Sequence, residues 1–160
     1  MLPPLEELKS AVEQLLPGVS LAIEGASLVV GPKDLTAVCR CLKDTDRFHL
    51  DYVANLTAVD YPPDPAGGGA GRMEVVYYLY SMAQKHGPVI LRVKLDRASP
   101  VVDSVTPLWR AGAYQEREVY DLFGVRFTGH PDLRRILMWD GFEGHPMRKD
   151  YVPENQNVLE

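Results

Sequence analysis

Apolar positions change period several times along the chain. Leu5, Leu8, Val12, Leu15 and Leu16 recur at helical spacing over residues 4–16, and Pro17-Gly18 ends that run. Two short alternating runs, Val19–Glu24 and Ser27–Val30, flank Gly25 and read as a hairpin. A second helix starts at Pro32, with Leu35, Val38, Cys39 and Leu42 as its apolar stripe. From Phe48 the period becomes two, placing Phe48, Leu50, Tyr52, Ala54 and Leu56 on one strand face. The stretch YPPDPAGGGAGR (61–72) reads as a loop. Strands return at Met73–Met82 and Val89–Leu95, with a turn near His86-Gly87-Pro88. In the latter strand Val89, Leu91, Val93 and Leu95 alternate with Arg92, Lys94 and Asp96, as in a sheet with one wet face.

After Asp103 the pattern is helical, with Thr106-Pro107 as cap and first turn. A helix from about Ala113 to Phe123 follows a break at Gly112 and closes at Gly124. Residues 125–160 lack sustained periodicity. These elements predict an α+β, two-layer domain over 1–124. Its mixed, mostly antiparallel sheet of about five strands is packed by helices. An irregular, partner-docking extension over 125–160 follows.

The 160 residues carry a net charge of −5, which argues against a nucleic-acid binder driven by bulk charge. No apolar run reaches the roughly 20 residues that span a bilayer. MLPPLEELK lacks a basic region followed by an apolar one, so no signal peptide is expected. Membrane association is expected only through partners. Cys39 and Cys41 are too few for an iron–sulfur cluster and point away from each other on a helix; Cys39 reads as a small core residue.

GGGAG (67–71) lacks a P-loop's Lys-Ser/Thr and precedes a strand, so a floppy connection is the simpler reading. No Rossmann fingerprint and no Gly-x-Ser-x-Gly turn are present. Glu116, Glu118, Asp121, His130 and His145 are metal-ligand types, but no His-x-x-x-His or Glu-x-x-His pair brings them onto one face. An independent metal-dependent enzyme is therefore the weaker reading.

On a helical wheel of 113–123, Glu116 falls within the apolar arc of Val119, Tyr120, Leu122 and Phe123. Arg117, Glu118 and Asp121 lie opposite. Glu116 is expected to be buried and held by a basic group such as a tail arginine. The alternative is a helix rotated to expose it. The tail repeats Gly-His-Pro with basic residues after it, in GHPDLRR (129–135) and GHPMRK (144–149). Its histidines are expected to hydrogen-bond backbone rather than carry protons. Phe127, Leu133, Ile136, Leu137, Met138, Trp139 and Phe142 are many apolar side chains for an irregular segment. Among residues 122–149, five Lys/Arg face three Asp/Glu in an otherwise acidic chain. Arginines beside large apolar groups favour a docking surface over a solvated loop.

EREVYDLFGVRFTGHPDLRRILM (116–138) closely resembles the signature of the C subunit of NADH-quinone oxidoreductase, respiratory complex I. The matching parts are Glu116-Arg117-Glu118, Asp121, Leu122-Phe123, His130 and Arg134 through Leu137, and GFEGHPMRKDYVP continues the likeness. The resemblance implies a non-catalytic peripheral-arm subunit with no cofactor of its own; FMN and iron–sulfur clusters would sit in partner subunits. The implied partners are the large quinone-site subunit and a neighbouring iron–sulfur subunit. The place implied is the cytoplasmic side of the cell membrane. Glu116, Arg117, Glu118 and Asp121 are then expected to organise the helix and its contacts. His130, Arg134, Arg135, His145, Arg148 and Lys149 are expected to pin the tail. The sequence stops soon after the motif, so neither a longer wrapping tail nor a fusion to the large subunit, as in some relatives, is expected. The matching subunit of a membrane-bound hydrogenase, or of a ferredoxin- or deazaflavin-dependent oxidoreductase, is the nearest alternative.

Overall fold

A computed structural model describes residues 3–64 and 69–153. Helix α1 (Leu5–Leu15) buries Leu8 and Val12. Strands β1 (Ala22–Glu24) and β2 (Ser27–Val30) form the expected hairpin around Gly25, whose φ of +59° suits a residue without Cβ. Helix α2 (Leu35–Asp44) buries Leu35, Val38, Cys39 and Leu42, the stripe read from spacing. Strands β3 (Tyr52–Tyr61), β4 (Arg72–Ser81) and β5 (His86–Asp96) complete a five-stranded sheet ordered β1-β2-β5-β4-β3. All neighbours are antiparallel except β2 and β5, which run parallel. The architecture is α+β with a mixed sheet. Val89, Leu91, Val93 and Leu95 enter the core with Met73, Val75, Tyr77 and Leu79 from β4.

Four local expectations need correction. The strand predicted from Phe48 begins at Tyr52, and its inward side chains are Val53, Leu56 and Ala58 rather than Tyr52 and Ala54. A bulge between Val53 and Asn55 inserts one residue and inverts the alternation. The turn expected at 86–88 instead occupies residues 82–85, because Ser81 already pairs with His86. The helix expected from Thr106 is a single turn, closed by Leu108 and Trp109 amides on the Val105 carbonyl. Strand β6 (Val101–Asp103) has no counterpart among the predicted elements. It pairs in parallel with β7 (Arg126–Thr128), which lies in the segment read as irregular. Val125 and Phe127 are buried in the core, so neither requires a partner to cover it. Of GGGAG, Gly67 and Gly68 lie outside the described residues, as do 154–160 of the tail.

Helix α3 (Gly112–Phe123) lies along the edge strand β3. Gln115 accepts the Leu56 amide through its side-chain oxygen, and the Trp109 indole donates to the Leu50 carbonyl at 3.0 Å. These bonds occupy backbone groups near an otherwise open edge. Across the sheet Glu74 is buried between Arg72 and Arg92.

Candidate functional site: a strapped helix

The expected contact residues, from Glu116 to Lys149, all lie on α3 or on the segment after β7. That segment, residues 129–151, runs alongside α3 in the same direction. The two Gly-His-Pro histidines contact opposite ends of the helix. His130 Nε2 lies 3.0 Å from the Ala113 carbonyl in the first turn, and His145 Nδ1 lies 3.0 Å from the Asp121 carbonyl in the last. His130 Nδ1 accepts the Asp132 amide at 3.0 Å, so its Nε2 carries the hydrogen. Both rings bond to backbone. Burial pushes the His145 imidazole below its ordinary pKa, despite the opposing bond to Asp121.

Glu116 is fully buried, but no arginine holds it. Its Oε1 accepts the Val105 amide at 2.7 Å, and its Oε2 meets the hydroxyls of Ser104 at 2.6 Å and Thr106 at 3.1 Å. His130 Nε2 stands 4.0 Å away. Burial drives the carboxyl above its ordinary pKa, opposed by the hydroxyl of Ser104 and the amide of Val105. The oxygens of Ser104 and Thr106 also lie 2.8 Å apart. Three O···O contacts therefore share two hydroxyl hydrogens when Glu116 is ionised. A protonated Glu116 supplies the third, which agrees with the upward shift.

The tail arginine assigned to Glu116 serves Asp121 instead. Asp121 Oδ2 accepts three successive amides, from Ile136 (3.0 Å), Leu137 (2.7 Å) and Met138 (2.9 Å). Its Oδ1 accepts Arg135 at 2.6 Å. Burial works upward on this carboxyl, yet the Met138 amide and Arg135 outweigh it with the other two amides, and its pKa falls below the ordinary value. Arg117, one turn before Asp121 on the same face, donates to the carbonyls of Arg134 and Arg135 at 3.1 and 3.0 Å. The wheel puts Arg117 and Asp121 on a polar face; the strap covers that face and buries both. The Glu118 side chain stays exposed, without a hydrogen bond or ion pair among the described residues.

The strap also supplies the helix's C-terminal cap. Gly124 takes a left-handed φ of +76° and returns its amide to the Tyr120 carbonyl. The Leu122 carbonyl receives the Met147 amide at 3.0 Å, and the Phe123 carbonyl receives Arg148 Nε at 2.6 Å. Arg135 and His145 take the Asp121 carbonyl. All four terminal carbonyls are thus occupied, two of them by cationic side chains that suit the helix dipole. At the far end the Lys149 amide reaches Asp60 at 2.8 Å on β3. Arg97 grips Asp60 through two bonds and also pairs with Asp150. The Lys149 contribution is thus a backbone one. Among the described residues Arg134 pairs only with Asp132, and both side chains are largely exposed.

Sequence patterning does not single out Ser104, Asp60 or Arg97, and it reads Thr106 only as a helix cap. Their contacts with Glu116, Lys149 and Asp150, and that between Asp60 and Arg97, span 10 to 89 positions, and no periodicity links such residues. Among the described residues no group of three or more His, Cys, Asp or Glu could hold a metal ion. No helix among them is long and apolar enough to cross a membrane.

Residues 28–157 match the family model described as the respiratory-chain NADH dehydrogenase, 30 Kd subunit. The chain belongs to that family. It is 43% identical over 142 residues to the C subunit of NADH-quinone oxidoreductase from Moorella thermoacetica, covering 88% of this chain and 90% of that protein. It is 42% identical over 125 residues to the mitochondrial NADH-ubiquinone oxidoreductase 30.4 kDa subunit of Neurospora crassa, spanning 78% of this chain and 42% of that one. Among solved structures, a trypsin-resistant fragment of Nqo5 superposes with a TM-score of 0.60 at 28% identity, covering 82% of this chain and all of the fragment. A chain of the archaeal membrane-bound sulfane sulfur reductase shares the fold, with a TM-score of 0.71 at 22% identity and coverage of 92% and 85%. The strapped helix lies within the family's matched region, as does the whole of β3 to β7.

Proposed function

We propose that this complex I family chain is a non-catalytic structural subunit of a membrane-associated NADH:quinone oxidoreductase. In this reading electrons pass from NADH through flavin and iron–sulfur clusters in partner subunits to quinone, coupled to proton translocation. The strap docks on the large quinone-site subunit and a neighbouring iron–sulfur subunit, on the cytoplasmic side of the membrane. One observation carries the proposal. The strap is fastened from beneath by Asp121, Arg117 and the α3 carbonyls, and it turns Leu137, Trp139 and Met147 outward. Leu137, Trp139 and Met147 are each more than half exposed. Trp139 packs edge-on against Phe142 with centroids 4.8 Å apart, and Phe142 lies beneath Arg135. Rigid aromatic and apolar groups on a pinned backbone lose little entropy on docking.

The test is affinity purification of a tagged chain from mild-detergent extracts, followed by mass spectrometry. Recovery of quinone-site and iron–sulfur subunits in stoichiometric yield is expected, with loss on Trp139→Ser plus Leu137→Ser. Recovery of the wild-type chain alone would overturn the proposal. A flavin subunit with NADH-binding motifs among the recovered proteins separates this assembly from a related hydrogenase or ferredoxin-dependent complex.

A further inference from the structure

Arg117 is held by the strap but not neutralised by it. The residue is nine-tenths buried, and no carboxylate among the described residues lies within ion-pairing distance. Its two hydrogen-bond partners are the carbonyls of Arg134 and Arg135, which orient the guanidinium without cancelling its charge. Burying a cation without a counter-ion is costly. Three buried carboxylates are matched by arginines: Glu74 by Arg72 and Arg92, Asp60 by Arg97, and Asp121 by Arg135. Asp132 is near enough to feel Arg117, but its carboxylate is taken by Arg134 at 2.9 and 3.1 Å.

Arg117 also lines an open pocket of about 400 Å³, with Thr106, Arg110, Tyr114, His130 and Pro131 among its other walls. The Arg110 side chain is exposed and has no ion pair or hydrogen bond among the described residues. The Tyr114 ring stands 6.0 Å from the Arg117 guanidinium carbon and is two-thirds exposed. Thr106 and His130 already bond to Glu116 and to the Ala113 carbonyl. The groups left for a visitor are therefore two guanidinium groups and an aromatic wall. A planar fork of donors suits a carboxylate. A doubly charged phosphate would meet Asp132 on the rim at greater cost.

We infer that this pocket receives one carboxylate side chain, an Asp or Glu of a partner subunit, with Arg117 as its fixed rear wall and Arg110 at its mouth. The identity of the carboxylate's owner rests on the docking role proposed above, whereas carboxylate binding itself is a property of this chain. The inserted charge would compensate Arg117 only upon assembly, so the contact favours the bound state.

Two measurements test it. In the first, the arginine Nε–Hε signals of the full chain are followed by NMR at constant ionic strength. Titrants are N-acetyl-glutamate amide, its neutral glutamine counterpart, and inorganic phosphate. A saturable shift at Arg117 and Arg110 with the glutamate probe alone is expected, and Arg110→Gln should weaken it about tenfold, the loss of one charge-assisted bond. Saturation by phosphate but not glutamate, or no saturation at all, would overturn the inference. In the second, Arg110→Gln is introduced into the tagged chain. A several-fold lower recovery of partner subunits, with unchanged thermal unfolding of the isolated chain, is expected. Full recovery overturns the inference even if the glutamate probe binds. Failure of the wild-type chain to recover any partner would instead overturn the docking role and leave the probe result to decide the pocket's chemistry.

Discussion

Asp121→Asn removes one charge and almost no volume, so its effect isolates the carboxylate. In the native arrangement one oxygen serves three amides of the strap and the other serves Arg135. An asparagine matches one set only. With its oxygen towards the amides, its NH₂ group faces the Arg135 guanidinium; turned over, it faces three N–H groups. Breaking a buried ion pair on one side costs about 3–5 kcal/mol. Arg135 keeps 18% of its side chain exposed and can turn to water, which lowers the expectation to about 2–3 kcal/mol. That energy anchors the strap, and a loss of about 2 kcal/mol corresponds to roughly thirtyfold faster exchange of amides that open with it. The assay is hydrogen exchange at Ile136, Leu137 and Met138. Exchange there should accelerate by about that factor, and the far-ultraviolet spectrum of the sheet should persist. Acid supplies a second arm. The folded pKa of Asp121 is depressed, so its contribution is complete above the ordinary carboxylate value near 4 and is lost as pH falls through the folded value. Strap protection in the wild type should decline in that acid range, and the asparagine variant should lack this dependence. Wild-type protection at all three amides in Asp121→Asn would refute the role assigned to this carboxylate.

Other expectations concern the remaining contacts. Glu116 has a raised folded pKa, so the folded state favours its protonated form. That stabilisation is complete below the ordinary carboxylate value and disappears as pH rises through the folded one. Glu116→Gln should therefore leave stability at neutral pH unchanged or higher and flatten its pH dependence in urea titrations. Glu116→Leu strands the buried Val105 amide and should cost about 1–3 kcal/mol. Arg135→Ala should release the strap and lower complex yield, whereas Arg134→Ala, which loses only a solvent-exposed pair, should do neither in native gels. Gly124→Ala combines a left-handed backbone with a Cβ that would stand 2.5 Å from His145 Nε2. It should lower stability by at least about 1 kcal/mol and shift the His145 ring resonances in NMR spectra.

Much of the scaffold is legible in the chain itself, because burial on one face imposes a period. The stripe of α2 and the alternation in β5 appear in the structure as spacing implies, whereas α1 buries only Leu8 and Val12 of its stripe and leaves Leu15 exposed. Helix α3 starts within one residue of its expected position and ends at Gly124, where the backbone needs a positive φ. Glu116 can be placed inside the apolar arc because a wheel reports direction, and the structure buries it. The motif from Glu116 to Leu137 carries the resemblance to the family, and it also holds Arg117, Asp121, His130 and Arg135, which fasten the strap. Spacing fails where one residue breaks the rhythm. The bulge at Ala54 turns β3 over, and the short parallel strands β6 and β7 are too brief to carry a period.

Which groups meet is decided by tertiary structure alone. The chain by itself offers a buried carboxylate, several tail cations and the expectation that one serves the other. The fold brings Ser104 and Thr106 under Glu116 and sends Arg135 to Asp121, because the chain returns along α3 only after β7 has paired with β6. A wheel describes one helix in solvent, so it assigns Arg117 and Asp121 to water. The strap, whose path is set by contacts up to 89 residues apart, makes that face an interior. Local periodicity follows from local geometry, whereas hydrogen-bond partners are chosen among all groups that the completed fold brings within about 3 Å.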